Sequence, residues 1–246
     1  MPSPYQSLLK LPRAVLFDYD GVLVASEPIH LLAWKQLLIS LGLPEDLETI
    51  QKSIGTTAPQ ILKALLDRHR PGWSSGTDLG KNEYNLDDLA QRKNDFYLDL
   101  AQTKLAIYPG VGEGLVWLRQ NQVRIAVVSN AKGRELKTTL TLLKLTDFFN
   151  EIISRDDVSP NKPDPAPYLL GAQRFSLAPE QCIAVEDSPP GLEAALRAGV
   201  PTVAISTNFP SEALQHPVRD RLDLAPIRIE SSIQGFFDWL KILPRI

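Results

Sequence analysis

From Pro109-Gly110 onward, short apolar runs alternate with segments of helical periodicity. Val111 to Gln120 has helical spacing, Arg124 to Val128 (RIAVV) is a buried-strand run, and Lys132 to Leu143 is helical again. The series continues with a short strand at Glu151 to Ile153, a helix at Pro165 to Phe175 and a strand at Cys182 to Val185 (CIAV). A helix at Pro189 to Ala198 and a strand at Thr202 to Ile205 follow. This alternation predicts an α/β fold with a doubly wound, Rossmann-like parallel sheet, because parallel strands need crossover connections and helices serve as those crossovers. An earlier apolar run, Ala14 to Phe17, belongs to the same sheet as its first strand.

The stretch between Pro28 and about Ala106 reads as helix and loop throughout. Helical spacing covers Pro28 to Leu41, Leu47 to Ile50, Pro59 to Leu66 and Leu86 to Leu105. Ser53 to Ala58 reads as a loop, and Arg70 to Asn85, rich in Gly, Ser, Asn and Asp, as a long one. The expected organisation is therefore an α/β core of residues 1–27 and 107–246 with a helical domain, 28–106, inserted after the first strand. Arg219 to Ile229 carries no readable pattern, and Ser231 to Leu240 reads as a closing helix.

Polar residues of useful chemistry follow four of the strands. The first ends in Asp18-Tyr19-Asp20-Gly21, the second in Ser129-Asn130 and the fourth in Glu186-Asp187-Ser188, while the loop after the third carries Lys162. In an open parallel sheet these positions gather at one edge, around the crevice where ligands bind. Two carboxylates about 4 Å apart repel by roughly 4 kcal/mol at an effective dielectric near 20, which a cation or a shared proton relieves. Each element also has a plainer reading. Asp-x-Asp-Gly is compatible with a solvated turn. Ser129-Asn130, Asp164 before Pro165 and Ser188 before Pro189 are compatible with helix capping. The constellation is more specific than its members: paired carboxylates, a hydroxyl, amides and a lysine suit Mg2+ holding a phosphate.

Composition narrows the classes. In 246 residues, 43% are hydrophobic, enough for a large core, and the net charge is −3 with no basic block. Neither nucleic acid nor a membrane surface is an expected partner. No run approaches the 18 apolar residues of a membrane span, and Met1 to Lys10 has no signal-peptide pattern. The lone Cys182 excludes an internal disulfide framework and suits packing in a reducing compartment, the cytoplasm or another soluble one.

The motifs Asp18-Tyr19-Asp20-Gly21-Val22, Ser129-Asn130, Lys162 and Glu186-Asp187, with Asp187 to Ala195 extending the last into its helix, resemble those of haloacid-dehalogenase-superfamily hydrolases. The resemblance spans nearly the whole chain, and the inserted helices resemble the α-helical cap subclass. Gly21-Val22-Leu23-Val24 and Lys162-Pro163-Asp164-Pro165 are most similar to the β-phosphoglucomutase and CbbY-like group. The resemblance implies a phosphatase for a small sugar phosphate, a bisphosphate such as xylulose 1,5-bisphosphate included. The alternative it implies is a β-phosphoglucomutase.

By the same resemblance Asp18 is the nucleophile and Asp20 the acid–base. Ser129 and Asn130 hold phosphoryl oxygens, and Lys162 offsets charge. Mg2+ falls to Asp18, the Asp20 main-chain carbonyl and Asp187, with Glu186 in support. Glu27, His30 and the Gly55-Thr56-Thr57 loop fall where cap–core contacts are expected, although His30 beside Trp34 equally suits packing. Many relatives have an acidic residue where Ala25 precedes Ser26-Glu27, and the mutases carry an arginine in the cap loop that here reads Gly55-Thr56-Thr57-Ala58. Arg68, Arg70 and Lys52 are the nearby cations that could replace it. A receiver-type signalling module and a catalytically silent sugar-phosphate sensor are the rival classes; the inserted helices and the complete polar set weigh against them. The expected state is a monomer whose cap opens and closes.

Overall fold

The computed structural model describes residues 10–52, 57–75, 83–218 and 224–244. The chain divides into two compact units, one of Met1–Ala25 with Ala106–Ile246 and one of Ser26–Leu105.

The first unit is built on six parallel strands: β1 (Ala14–Phe17), β4 (Arg124–Val128), β5 (Glu151–Ile153), β6 (Cys182–Glu186), β7 (Thr202–Ile205) and β8 (Arg228–Glu230). Their spatial order is β5-β4-β1-β6-β7-β8. The winding thus runs outward from β1 through β4 to β5, then resumes on the other side of β1 with β6. That reversal, between β1 and β6, is the position where a doubly wound sheet leaves a crevice beyond its carboxyl ends. Register places Phe17 beside both Val127 and Val185, so the residues just past each strand end lie side by side.

Both faces of β1 are buried, as its unbroken apolar run requires. Ala14 and Leu16 pack in a cluster with Tyr168 and Ala172 of α7 (Ala166–Arg174) and Ala194 and Ala195 of α8 (Pro189–Arg197). Phe17 turns to the opposite face, where its ring lies 5.9 Å from both Phe236 and Phe237 of α10 (Ile233–Lys241). The remaining helices of this unit are α5 (Val111–Gln120), α6 (Gly133–Leu142) and α9 (Ser211–Gln215). Cys182 is buried at the start of β6, and burial pushes its thiol up to about 11, as befits a packing residue.

The second unit holds α1 (Glu27–Ser40), α2 (Leu47–Lys52), α3 (Ala58–His69) and α4 (Leu86–Lys104). α1 buries Ile29, Ala33, Trp34, Leu37 and Leu38, the spacing of one helix face, and α3 buries Ile61, Leu62, Leu65 and Leu66. Asn85 caps α4 by accepting from the backbone N–H groups of Asp87 and Asp88.

Two readings of the sequence change here. The stretch 70–85 is not wholly a loop: Ser74–Ser75 (β2) and Glu83–Tyr84 (β3) pair in parallel, and residues 76–82 lie outside the described set. Arg228–Glu230, within and beyond the stretch that resisted reading, adds the sixth strand through pairing with β7. Three residues at a sheet edge are too few to show a period.

Candidate active site

Asp18 follows β1 directly, and its backbone N–H donates to Val185 O at 2.9 Å, continuing the ladder to β6. The chain then turns back on itself. Tyr19 O accepts from the N–H groups of Leu23 and Val24, and Gly21 N–H donates to Val24 O. Gly21 sits at φ +78°, and a Cβ there would lie 2.0 Å from Asp187 Oδ2, so both the turn and its neighbour demand glycine.

Lys162 reaches into the same corner. Its Nζ donates to Asp18 Oδ1 at 2.7 Å, to Glu186 Oε1 at 2.6 Å and to Val128 O at 2.7 Å, so all three ammonium protons have acceptors. Glu186 is fully buried and accepts also from Tyr168 Oη at 2.7 Å, from the Asp187 N–H and from Ser188 Oγ. Gly191 makes room for it, since a Cβ at that position would lie 2.1 Å from the carboxylate. Asp187, 4% exposed, receives a 2.7 Å hydrogen bond on Oδ2 from Asn208 Nδ2.

The electrostatics follow from crowding. Burial pushes the Asp18 carboxyl up to about 8; Lys162 pulls it down, while Glu186 and Asp20 push it further up. Burial alone would lower the Lys162 ammonium, but the Asp18 and Glu186 carboxylates hold it above its ordinary range. Oxygens of Asp18, Glu186 and Asp187 lie within 4.8 Å of one another. Three carboxylates therefore share this corner with the Lys162 ammonium, an excess of buried negative charge that a hard divalent cation with oxygen ligands fits.

The remaining core residues take their places around this corner. Ser129 follows β4, its N–H donating to Ile153 O and its Oγ accepting from the Ala131 N–H, which leaves the hydroxyl proton to donate elsewhere. Asn130, expected as a phosphoryl ligand, is also tied to the Lys162 loop. Its side-chain amide pairs with the backbone of Lys162, Nδ2 donating to the carbonyl and Oδ1 accepting from the N–H, both at 3.2 Å. It holds the Lys162 loop in register. Of the capping readings, that of Ser188 holds, its Oγ accepting from Gly191 N–H, and Asp164 Oδ1 accepts from Ala166 N–H at the start of α7; Ser129-Asn130 does not cap α6, which begins at Gly133 after Lys132 with no side-chain cap.

In the second unit, His30 stacks on Tyr97 with centroids 4.0 Å apart, and its Nδ1 lies 2.7 Å from Lys93 Nζ. Lys93 is 8% exposed and lies over the rings of Trp34 and Tyr97. Glu27 opens α1, half-buried. Thr57 precedes α3, its N–H and Oγ1 both donating to Gln60 Oε1, while Gly55 and Thr56 lie outside the described residues. Arg68 pairs with Asp46 at 3.3 Å, and Arg70 donates to Leu41 O and Gly42 O.

Sequence reasoning missed Tyr168, Lys93 and Asn208. Lys93 had a signal: it interrupts the stripe Leu89, Tyr97, Ala101 at four-residue spacing on α4, where a lysine is costly unless partnered. Tyr168 looks like any core aromatic, and Asn208 like any loop amide.

The family model of haloacid dehalogenase-like hydrolases matches residues 15–205. A phosphoglycolate phosphatase of Nitrosococcus oceani is 32% identical over 208 residues, covering 82% of this chain and 87% of its own. A β-phosphoglucomutase of Bacillus subtilis is 28% identical over 214 residues, covering 86% of this chain and 91% of its own. Among solved structures, CbbY from Rhodobacter sphaeroides in complex with phosphate aligns with a TM-score of 0.73 at 23% identity, covering 92% of this chain and 96% of that one. At that identity the likeness is one of fold.

Proposed function

The chain belongs to the haloacid dehalogenase-like hydrolase family, and on that premise we propose that it is a Mg2+-dependent phosphatase for a small phosphorylated sugar or sugar acid. The observation that supports this most is the Asp18 carboxylate held at 2.7 Å by a buried Lys162, which Glu186 in turn anchors. Asp18, Asp187 and the Asp20 main-chain carbonyl would hold Mg2+, with Glu186 in support. When bound, the ion would offset charge on the nucleophile and the phosphoryl oxygens.

The chain's own residues then do the following. An Asp18 oxygen attacks phosphorus and forms an acyl phosphate as the ester P–O bond breaks; Asp20 gives its proton to the departing sugar oxygen. Asp20 next takes a proton from water as that water attacks phosphorus, the Asp18–phosphorus bond breaks and inorganic phosphate leaves. Lys162 and Ser129 stabilise the transferring group, and Asn130 keeps Lys162 in place, since phosphoryl transfer depends chiefly on positioning and charge balance. By the family resemblance the helical unit would serve as the cap, and Glu27, His30, Gly55, Thr56 and Thr57 would be its candidate substrate residues.

A mutase would pass the phosphoryl group to a sugar hydroxyl and must grip a second phosphate. Gly55 to Ala58 offers no arginine for that, and Arg68 and Arg70 are engaged within their own unit. Hydrolysis is the better-supported reading. Purified protein with Mg2+ and a panel of phosphosugars, xylulose 1,5-bisphosphate and phosphoglycolate tests it, with free phosphate and sugar-phosphate isomers followed together. Phosphate release on a narrow set is expected. Conversion of β-glucose 1-phosphate to glucose 6-phosphate without net phosphate release would make the protein a mutase instead.

A further inference from the structure

Asn208 stands outside every motif, in the loop between β7 and α9, yet its Nδ2 donates to Asp187 Oδ2 at 2.7 Å. The contact is built into the turn after β1. Gly21 leaves the space in which the two side chains meet: a Cβ there would lie 2.0 Å from Asp187 Oδ2 and 2.4 Å from Asn208 Nδ2. A third strand end is thereby tied to the Asp-x-Asp-Gly loop and to the carboxylate of β6.

We propose that Asn208 is a positioning residue that fixes Asp187 as a one-oxygen ligand and so favours Mg2+ over Ca2+. The inference rests on the Mg2+ reading above. An N–H donated to Oδ2 competes with a cation for that oxygen, because both approach with positive charge. Asp187 then meets the ion through its other oxygen. Mg2+ demands near-octahedral geometry and is satisfied by single-oxygen carboxylates, whereas Ca2+ accepts six to eight ligands and takes carboxylates through one or both oxygens. Removing the amide releases Oδ2, loosens the Asp187 rotamer and opens the two-oxygen mode. Partners that orient ligating carboxylates typically govern metal affinity by 10–100-fold.

The test is isothermal titration of the full chain with Mg2+ and, separately, Ca2+, for the natural protein, Asn208→Ala and Asn208→Ser. Asn208 is an exposed loop residue, so the fold is expected to survive, which a thermal melt without metal confirms. Asn208→Ala is expected to weaken Mg2+ roughly ten-fold or more, with Ca2+ weakened less or strengthened, so that the Mg2+/Ca2+ preference falls. Asn208→Ser, which keeps a donor, is expected to lie between. Both affinities within two-fold of the natural protein, or both weakened by one common factor, would overturn the inference and leave the Mg2+ reading standing. Absence of Mg2+ binding by the natural protein would overturn both.

Discussion

Lys162 shows how one residue sets the chemistry of this site. With no side-chain partner it would carry the full cost of burial; with Asp18 and Glu186 it turns two costly carboxylates into a structure. Lys162→Met leaves those carboxylates unpaired, and a loss of roughly 3–5 kcal/mol in denaturant unfolding is expected together with loss of turnover. Tyr168→Phe removes a hydrogen bond to the charged Glu186 and is expected to cost roughly 1.5–3 kcal/mol in the same assay, with the fold retained. Asn130→Ala frees the Lys162 loop without touching its charge. It is expected to lower kcat more than it lowers the melting temperature. The positions of Asp18, Asp20, Ser129, Glu186 and Asp187 were legible because each stands at or just past a strand end, where short apolar runs stop abruptly in polar residues, and that of Lys162 because its loop follows β5. The roles of Tyr168 and Asn208 were not, because both depend on neighbours distant in sequence. The pairing of Asn130 with the Lys162 backbone was not legible for the same reason: its partner lies 32 residues on.

At the scale of elements, strands and helices with complete runs declared themselves, and β4, β5, β7 and α5 begin and end where their sequence runs do. The short pieces did not, since β2, β3 and β8 owe their form to pairing partners rather than to pattern. α2 is short too, and Asp46 secures it. Its carboxylate accepts from Thr49 N–H and Oγ1, and pairs with His69 Nε2 at 2.8 Å, joining the start of α2 to the end of α3. The Thr49 and His69 hydrogen bonds hold the Asp46 carboxyl down at about 2, against an ordinary value of 3.8. A carboxyl depressed by folding stabilises fully above its unfolded pKa and loses that contribution as pH falls toward the folded one. Asp46→Asn, which keeps a capping side chain but removes the charge, is therefore expected to lower stability by about 1 kcal/mol at neutral pH, the charge effect being reduced by solvent screening. The gap between variant and natural protein should close between roughly pH 4 and pH 2, as thermal melts across that range would record.

At the scale of the molecule, a sheet whose winding reverses beside β1 brings the ends of β1, β4 and β6 together, and the sequence spends its acidic and basic chemistry there. The inserted helices form a unit with its own apolar core, Trp34, Leu37, Leu62, Leu65 and Leu89 among it. No helix of the described residues is long and apolar enough to cross a membrane. Substrate identity was not legible, because nothing in the inserted helices encodes a sugar in a fixed residue pattern, whereas the proposed covalent chemistry at Asp18 rests on the resemblance of its motif. That chemistry is the central claim. Its most direct test is to quench the reaction during turnover on the best phosphosugar with Mg2+, reduce it with borohydride and map the peptides by mass spectrometry. An acyl phosphate on Asp18 would leave homoserine at position 18, and that is the expected result, with none in Asp18→Asn. Continued phosphate release with position 18 unmodified, or with homoserine at Asp20 or Asp187 instead, would contradict it.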